Sequence, residues 1–161
     1  MATVIKATVK EIELMTVAFL KMKGHYKQIP AAFSTLYGWI MEKGYKPRGA
    51  AITVYCNIPG QVSDDELLWE LRSQISADVD ESGPSGEGLG VKRLGAVRVA
   101  AVMHKGPYEK LEETYSALIL WVEENGYETS GPPEELYLND PAKVPTDELL
   151  TEIRFPVRRG K

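Results

Sequence analysis

The chain has 161 residues, a formal net charge of −4 and a hydrophobic fraction of 43%. That length suits one ordinary domain, or two small modules sharing a core, and no apolar run approaches the roughly 20 residues of a membrane helix. The 19 Lys and Arg are scattered among 23 Asp and Glu, with none of the basic striping that marks a nucleic-acid surface. The single cysteine, Cys56, has no partner in the chain, and the N-terminus lacks a long apolar h-region. A cytoplasmic location is expected from both.

The first predicted element is a leading strand within residues 1–15. A second strand, Thr16–Leu20, ends at Lys23-Gly24. A helix follows, with Ile29, Phe33, Leu36 and Ile40 at helical spacing, and Gly44 stands where a left-handed residue closes a helix. Then come the strand-like run Gly49–Pro59, a connection Val62–Glu66 and a last strand Leu67–Ile75. Residues 77–90, rich in Gly, Ser and acid, read as a linker or mobile loop.

From there the pattern starts again, 82 positions later. Residues 17–75 set against 99–157 without a gap give 22 identities in 59 positions. Val9-Lys10 matches Val91-Lys92 at the same offset, which extends the repeat to the leading strand. The second copy runs through strand Val97–Val102, a helix opened by Pro107 and carrying Leu111, Tyr115, Leu118 and Val122, a closing Gly126, the run Gly131–Pro141, and a final strand Leu149–Val157. Each half therefore reads strand, helix, strand, strand, giving an α+β protein. We expect one domain over 1–161, made of module 1–76 and module 91–161 joined by linker 77–90. Two copies are too few for a solenoid, so a pseudo-twofold pair sharing an antiparallel sheet and a cleft is the expected arrangement.

Alternation along Gly131–Pro141 puts Glu135, Tyr137 and Asn139 on one face and Leu136 and Leu138 on the other. In the first copy Thr53, Tyr55 and Asn57 share a face, with Ile52, Val54, Cys56 and Ile58 opposite. The symmetry breaks at Glu135, where the first copy has Thr53. Cys56 is expected to be a small buried hydrophobe rather than a nucleophile. The repeated pairs Glu70/Arg72 and Glu152/Arg154 read as architectural, either solvated or in cross-strand contacts, Glu152 being a reserve candidate for chemistry. His25 and His104 do not align with each other and have no ligands at metal spacing, so neither a metal nor a cofactor is expected. The paired aromatics Tyr26, Tyr55, Tyr108, Tyr137, Trp39 and Trp121 remain. Together with the unmatched acid they suggest a ligand groove.

Four stretches carry a resemblance: Val99-Ala100 through His104-Lys-Gly-Pro-Tyr108, a helix ending Trp121 to Gly126-Tyr127, the run Gly131-Pro-Pro-Glu-Glu-Leu-Tyr-Leu-Asn-Asp-Pro141, and Thr151-Glu-Ile-x-Phe-Pro-Val157. They resemble the GyrI-like effector-binding family, found also as the drug-sensing domain of AraC-type and MerR-type regulators; Gly24-His25-Tyr26 departs from its Gly-Pro-Tyr. The resemblance implies duplicated SHS2-like modules, a groove between them, and an acid meeting cationic aromatic molecules, which by motif position is Glu135 with Tyr137 beside it. It also implies a stand-alone form that does not itself bind DNA. A second implied activity is hydrolysis, opening cyclopropane rings of DNA-alkylating natural products with Glu135 as general base and Tyr137 steadying the oxyanion. A third, taken from the family name alone, is modulation of gyrase.

Overall fold

The computed structural model describes residues 6–160. Nine strands and two helices follow one another: β1 (Thr8–Ile12), β2 (Met15–Lys23), α1 (Ile29–Glu42), β3 (Arg48–Tyr55), β4 (Leu68–Ile75), β5 (Leu89–Leu94), β6 (Val97–Lys105), α2 (Leu111–Glu124), β7 (Tyr127–Thr129), β8 (Glu134–Tyr137) and β9 (Leu150–Arg159). Each helix is entered through a three-residue 3-10 turn, Tyr26–Gln28 or Tyr108–Lys110. No helix among the described residues is long and apolar enough to cross a membrane.

The chain divides into two compact units. One runs from Glu13 to Ala96; the other joins the residues up to Ile12 to the chain from Val97 onward. In the first unit β3, β4, β2 and β5 pair in that order, all antiparallel. In the second, β1 pairs β6, β6 pairs β9, and β9 carries β8 and β7 along separate stretches. The two leading strands have thus exchanged places: β1 joins the later repeat, and β5 joins the earlier one.

Hydrophobic spacing explains each unit's core. Leu36 and Ile40 on α1 are buried against Ala18, Leu20, Trp69 and Leu71 of the sheet. Leu118 and Val122 on α2 do the same against Ala100, Val102, Ile153 and Phe155. Gly44 and Gly126 close the helices with φ of 77° and 79°, a conformation that costs glycine no Cβ clash.

The exchange of leading strands carries charge with it. Lys92 of β5 reaches Glu70 at 2.8 Å, and Lys10 of β1 reaches Glu152 at 2.7 Å. Each glutamate also receives the guanidinium two residues on, Arg72 or Arg154. The architectural reading of these pairs holds, with a lysine from the other repeat completing each cluster.

Two local expectations change. The face expected over Ile52, Val54, Cys56 and Ile58 stops at Val54, because β3 ends at Tyr55, and Cys56 is exposed rather than buried. Asn57 ends the ladder: its Nδ2 donates to Glu66 O at 3.0 Å and its Oδ1 accepts from Leu68 N at 2.9 Å. Asn139 repeats the bracket with Glu148 O and Leu150 N. These two asparagines therefore hold backbone. Residues 77–90 also do more than connect. Ser82 and Val91 exchange both backbone hydrogen bonds, and a Cβ on Gly90 would lie 2.4 Å from Ser82 O and 2.7 Å from Phe19 Cζ. Close packing accounts for that glycine.

Candidate functional site

Glu135 lies on β8, only 6% exposed. Both carboxylate oxygens accept hydrogen bonds from phenols: Tyr115 donates to Oε2 at 2.6 Å, and Tyr137 donates to Oε1 at 3.0 Å. Tyr137 is placed by strand alternation, two residues along the same face. Tyr115 comes from α2, where helical spacing puts it on the sheet-facing flank, its ring edge-on to Phe155 at 5.9 Å. Both of these hydrogen bonds reach a carboxylate that the fold keeps almost wholly from solvent.

Tyr108, at the start of the 3-10 turn, completes the aromatic wall. Its ring meets Tyr137 edge-on at 6.0 Å. Burial pushes its hydroxyl up from the ordinary phenol value, and the charges of Glu135 and Asp140 push it further in the same direction. It stays a neutral donor at physiological pH. So one unit gathers Glu135, Tyr137 and Tyr108 as expected, and adds Tyr115.

The other expected residues have contacts within their own units. Tyr26 and Tyr55 meet each other in the first unit, ring centroids 5.1 Å apart, with Tyr26 also edge-on to Trp69. Trp39 packs on Tyr45 at 5.9 Å beyond the far end of α1, with the Lys43 ammonium 5.8 Å from its ring. Trp121 packs against the core of the second unit. Both tryptophans are thus seated among the apolar residues of their own units.

Tyr115 was within reach of sequence reasoning. At the offset of 82 its counterpart is Phe33, so the second copy gains a hydroxyl where it also gains an acid for Thr53. Reading the helix only for its apolar stripe hides that. His104 is buried and structural: its Nε2 lies 3.1 Å from Pro107 O, which can only accept, and its Nδ1 lies 2.8 Å from Thr114 Oγ1. His25 caps the first 3-10 turn, Nδ1 accepting from Lys27 N at 3.0 Å, which is the work of the histidine at the departure from Gly-Pro-Tyr. The Cys56 thiol is pushed up by partial burial and by the charge of Glu70, which disfavours the reactive thiolate. Among the described residues no group of three or more His, Cys, Asp or Glu could hold a metal ion.

A recess of about 300 Å³ lies in the first unit, between Phe19, Lys21 and Lys92 and the loop around Ser82 and Pro84. It contains none of the expected site residues. Its Lys92 is already engaged by Glu70 and by the Phe19 ring at 4.6 Å. The buried acid makes the Glu135 cluster the better candidate.

Residues 6–158 match the model of the GyrI-like small molecule binding domain. The chain belongs to that family. Among curated proteins nothing matches. Among solved structures, the C-terminal domain of EcmrR superposes with a TM-score of 0.81 at 23% identity, covering 98% of this chain and 99% of that one. Against the longer EcmrR chain in its complex with DNA, this chain spans 57% of the length, with a TM-score of 0.80 at 23% identity over 96% of this chain. A structure described as a hydrolase from Listeria innocua aligns at 0.70 and 17% identity, covering 95% of this chain and 92% of that one. SAV2435, solved bound to tetraphenylphosphonium, aligns at 0.55 and 12%, covering 95% and 94%. At such identities these likenesses speak for the fold.

Proposed function

We propose that this GyrI-like domain binds amphipathic aromatic cations for sensing or sequestration, with Glu135 as the counter-ion. The observation that carries this reading is the buried carboxylate clasped by Tyr115 and Tyr137. A cation brought to a carboxylate held in a buried place gains Coulomb attraction that is poorly screened. The faces of Tyr108 and Tyr137 add cation–π attraction. SAV2435, bound to a lipophilic aromatic cation, offers a parallel from a distant relative. The test is titration calorimetry with tetraphenylphosphonium and with tetraphenylmethane, its neutral isostere presented in detergent. Binding of the cation alone supports the reading, and equal binding of the two sinks it.

The same atoms support a second reading as a hydrolase. Glu135 would take a proton from water as that water attacks a cyclopropane carbon; the breaking C–C bond would send its electron pair to a dienone oxygen, steadied by a tyrosine hydroxyl. The observation favouring it is the pairing of a carboxylate with two hydroxyl donors within 3.0 Å. Incubation with a cyclopropane-bearing alkylator, followed by mass of the product, decides. Turnover beyond one equivalent that disappears in Glu135→Gln supports it, and a stoichiometric adduct or none rejects it.

A further inference from the structure

Beneath the Glu135 cluster the second repeat departs from the first in one more place. β9 runs between β6 and β8, and its Thr151 stands opposite His104 on one side and Tyr137 on the other. Directly opposed residues of neighbouring strands project to the same face. Thr151 therefore shares a face with Tyr137, and the next residue of β9 on that face, Ile153, is opposite Glu135. Thr151 is 0% exposed, and its Oγ1 finds no hydrogen-bond partner among the described residues. Sealing an unpaired hydroxyl is unfavourable, and native proteins seldom keep one without use. His104 does not satisfy it, since both ring nitrogens are engaged elsewhere.

The first repeat shows the alternative. Its residue at this position is Trp69, 1% exposed, with the indole N–H donating to Gly24 O at 2.9 Å and the ring edge-on to Tyr26. One copy fills the place with a large ring whose polar atom is satisfied; the other puts a small side chain there whose polar atom is not. The same copy gains the acid Glu135 for Thr53 and the hydroxyl of Tyr115 for Phe33.

We propose that Thr151 is the deep hydrogen-bonding point of the Glu135 site, and that Trp69 blocks the corresponding place in the first repeat. The inference rests on the reading of Glu135 as the counter-ion. It specifies the ligand further: a planar aromatic cation carrying an amino group, whose charge meets Glu135 and whose N–H donates to Thr151 Oγ1. On this proposal the ligand enters beside Tyr108, a residue 38% exposed on a three-residue turn, with its ring edge-on to Tyr137.

Two acridinium probes separate the parts of this proposal: proflavine, with amino groups, and N-methylacridinium, without them. Thr151→Val removes the hydroxyl at nearly constant shape. It is expected to weaken proflavine about tenfold, the effect of about 1.4 kcal/mol, and to leave N-methylacridinium unchanged. Because no protein partner is lost, its melting temperature should not fall. Thr151→Trp, which installs the residue of the first repeat, should abolish binding of both probes. Equal effects of Thr151→Val on both, or no effect on either, would overturn the proposal, as would a lower melting temperature showing that the hydroxyl serves the fold. If wild-type protein binds neither probe, the reading of Glu135 falls and this proposal falls with it. Selective loss of proflavine in Thr151→Val, alongside unaltered binding in Glu135→Gln, would overturn the counter-ion reading and uphold Thr151.

Discussion

The Tyr115 hydroxyl lies 2.6 Å from Oε2 of Glu135, and the corresponding pair in the first repeat, Phe33 and Thr53, can form no such bond to a carboxylate. Two substitutions on different elements, a helix and a strand, thus appear together in one copy and meet. A single change could be drift. Two that complete one hydrogen bond are what the proposed site is built on.

Replacing Tyr115 by the phenylalanine of the first repeat should therefore act on binding. Tyr115→Phe removes a phenol donor to a carboxylate, worth about 1.5–3 kcal/mol for a hydrogen bond to a charged group. Some of that will be recovered by water. We expect affinity for tetraphenylphosphonium to fall roughly tenfold by calorimetry. Affinity equal to wild type would show that Tyr115 is packing only.

The charge cluster on β9 predicts the acid limb of stability. Burial alone would raise the Glu152 carboxyl, but the hydrogen bond from Lys10 and the adjacent Arg154 outweigh it and hold the group below the usual carboxylate range. A carboxyl depressed in the folded state stabilises the protein fully above its unfolded value of about 4.3. That contribution is lost as pH falls through the lower folded value. Lys10→Met should cost about 1 kcal/mol at neutral pH, discounted because Lys10 is itself well exposed. It should also flatten the dependence of melting temperature on pH below about 4.3. Melting curves from pH 3 to pH 7 check both, and parallel curves for the two proteins would contradict the account.

The asparagine brackets predict a stability effect without a binding effect. Asn139→Ala strips the Leu150 N–H and the Glu148 carbonyl of their side-chain partner. The cost should be about 1–2 kcal/mol, which for a chain of this size lowers the melting temperature by several degrees. Proflavine affinity should stay as it was, since the side chain is committed to backbone. A change in affinity at constant stability would return Asn139 to the site.

How much of this was readable in the residues follows from which physical rule each feature obeys. Helix closure at Gly44 and Gly126, and the shared face of Glu135 and Tyr137, depend on local geometry and came straight from the pattern. The exchange of β1 and β5 did not, because the match of Val9-Lys10 to Val91-Lys92 reveals common ancestry but not which sheet each strand joins. Cys56 was misplaced by carrying strand alternation past Tyr55, where β3 ends and the Asn57 side chain soon takes over the hydrogen bonds of the ladder. Trp39 and Trp121 flank the helical stripe, and the flank position alone does not give the contacts that Trp39 makes with Tyr45 and Lys43 or that Trp121 makes with the core of its unit. Tyr115 and Thr151 were missed for a common reason: periodicity marks which positions face inward, and says nothing about where a hydroxyl on such a position finds its partner.

The central claim is that Glu135 supplies the negative charge that recruits a cationic ligand. Glu135→Gln keeps the shape and an acceptor for the tyrosines but removes the charge. Calorimetric titration of wild type and variant with tetraphenylphosphonium, at pH 7 and at low and moderate salt, tests it directly. The account predicts a loss of about 1–3 kcal/mol in binding free energy, with little change on adding salt because a buried charge is poorly screened. Equal affinity in the two proteins would contradict it.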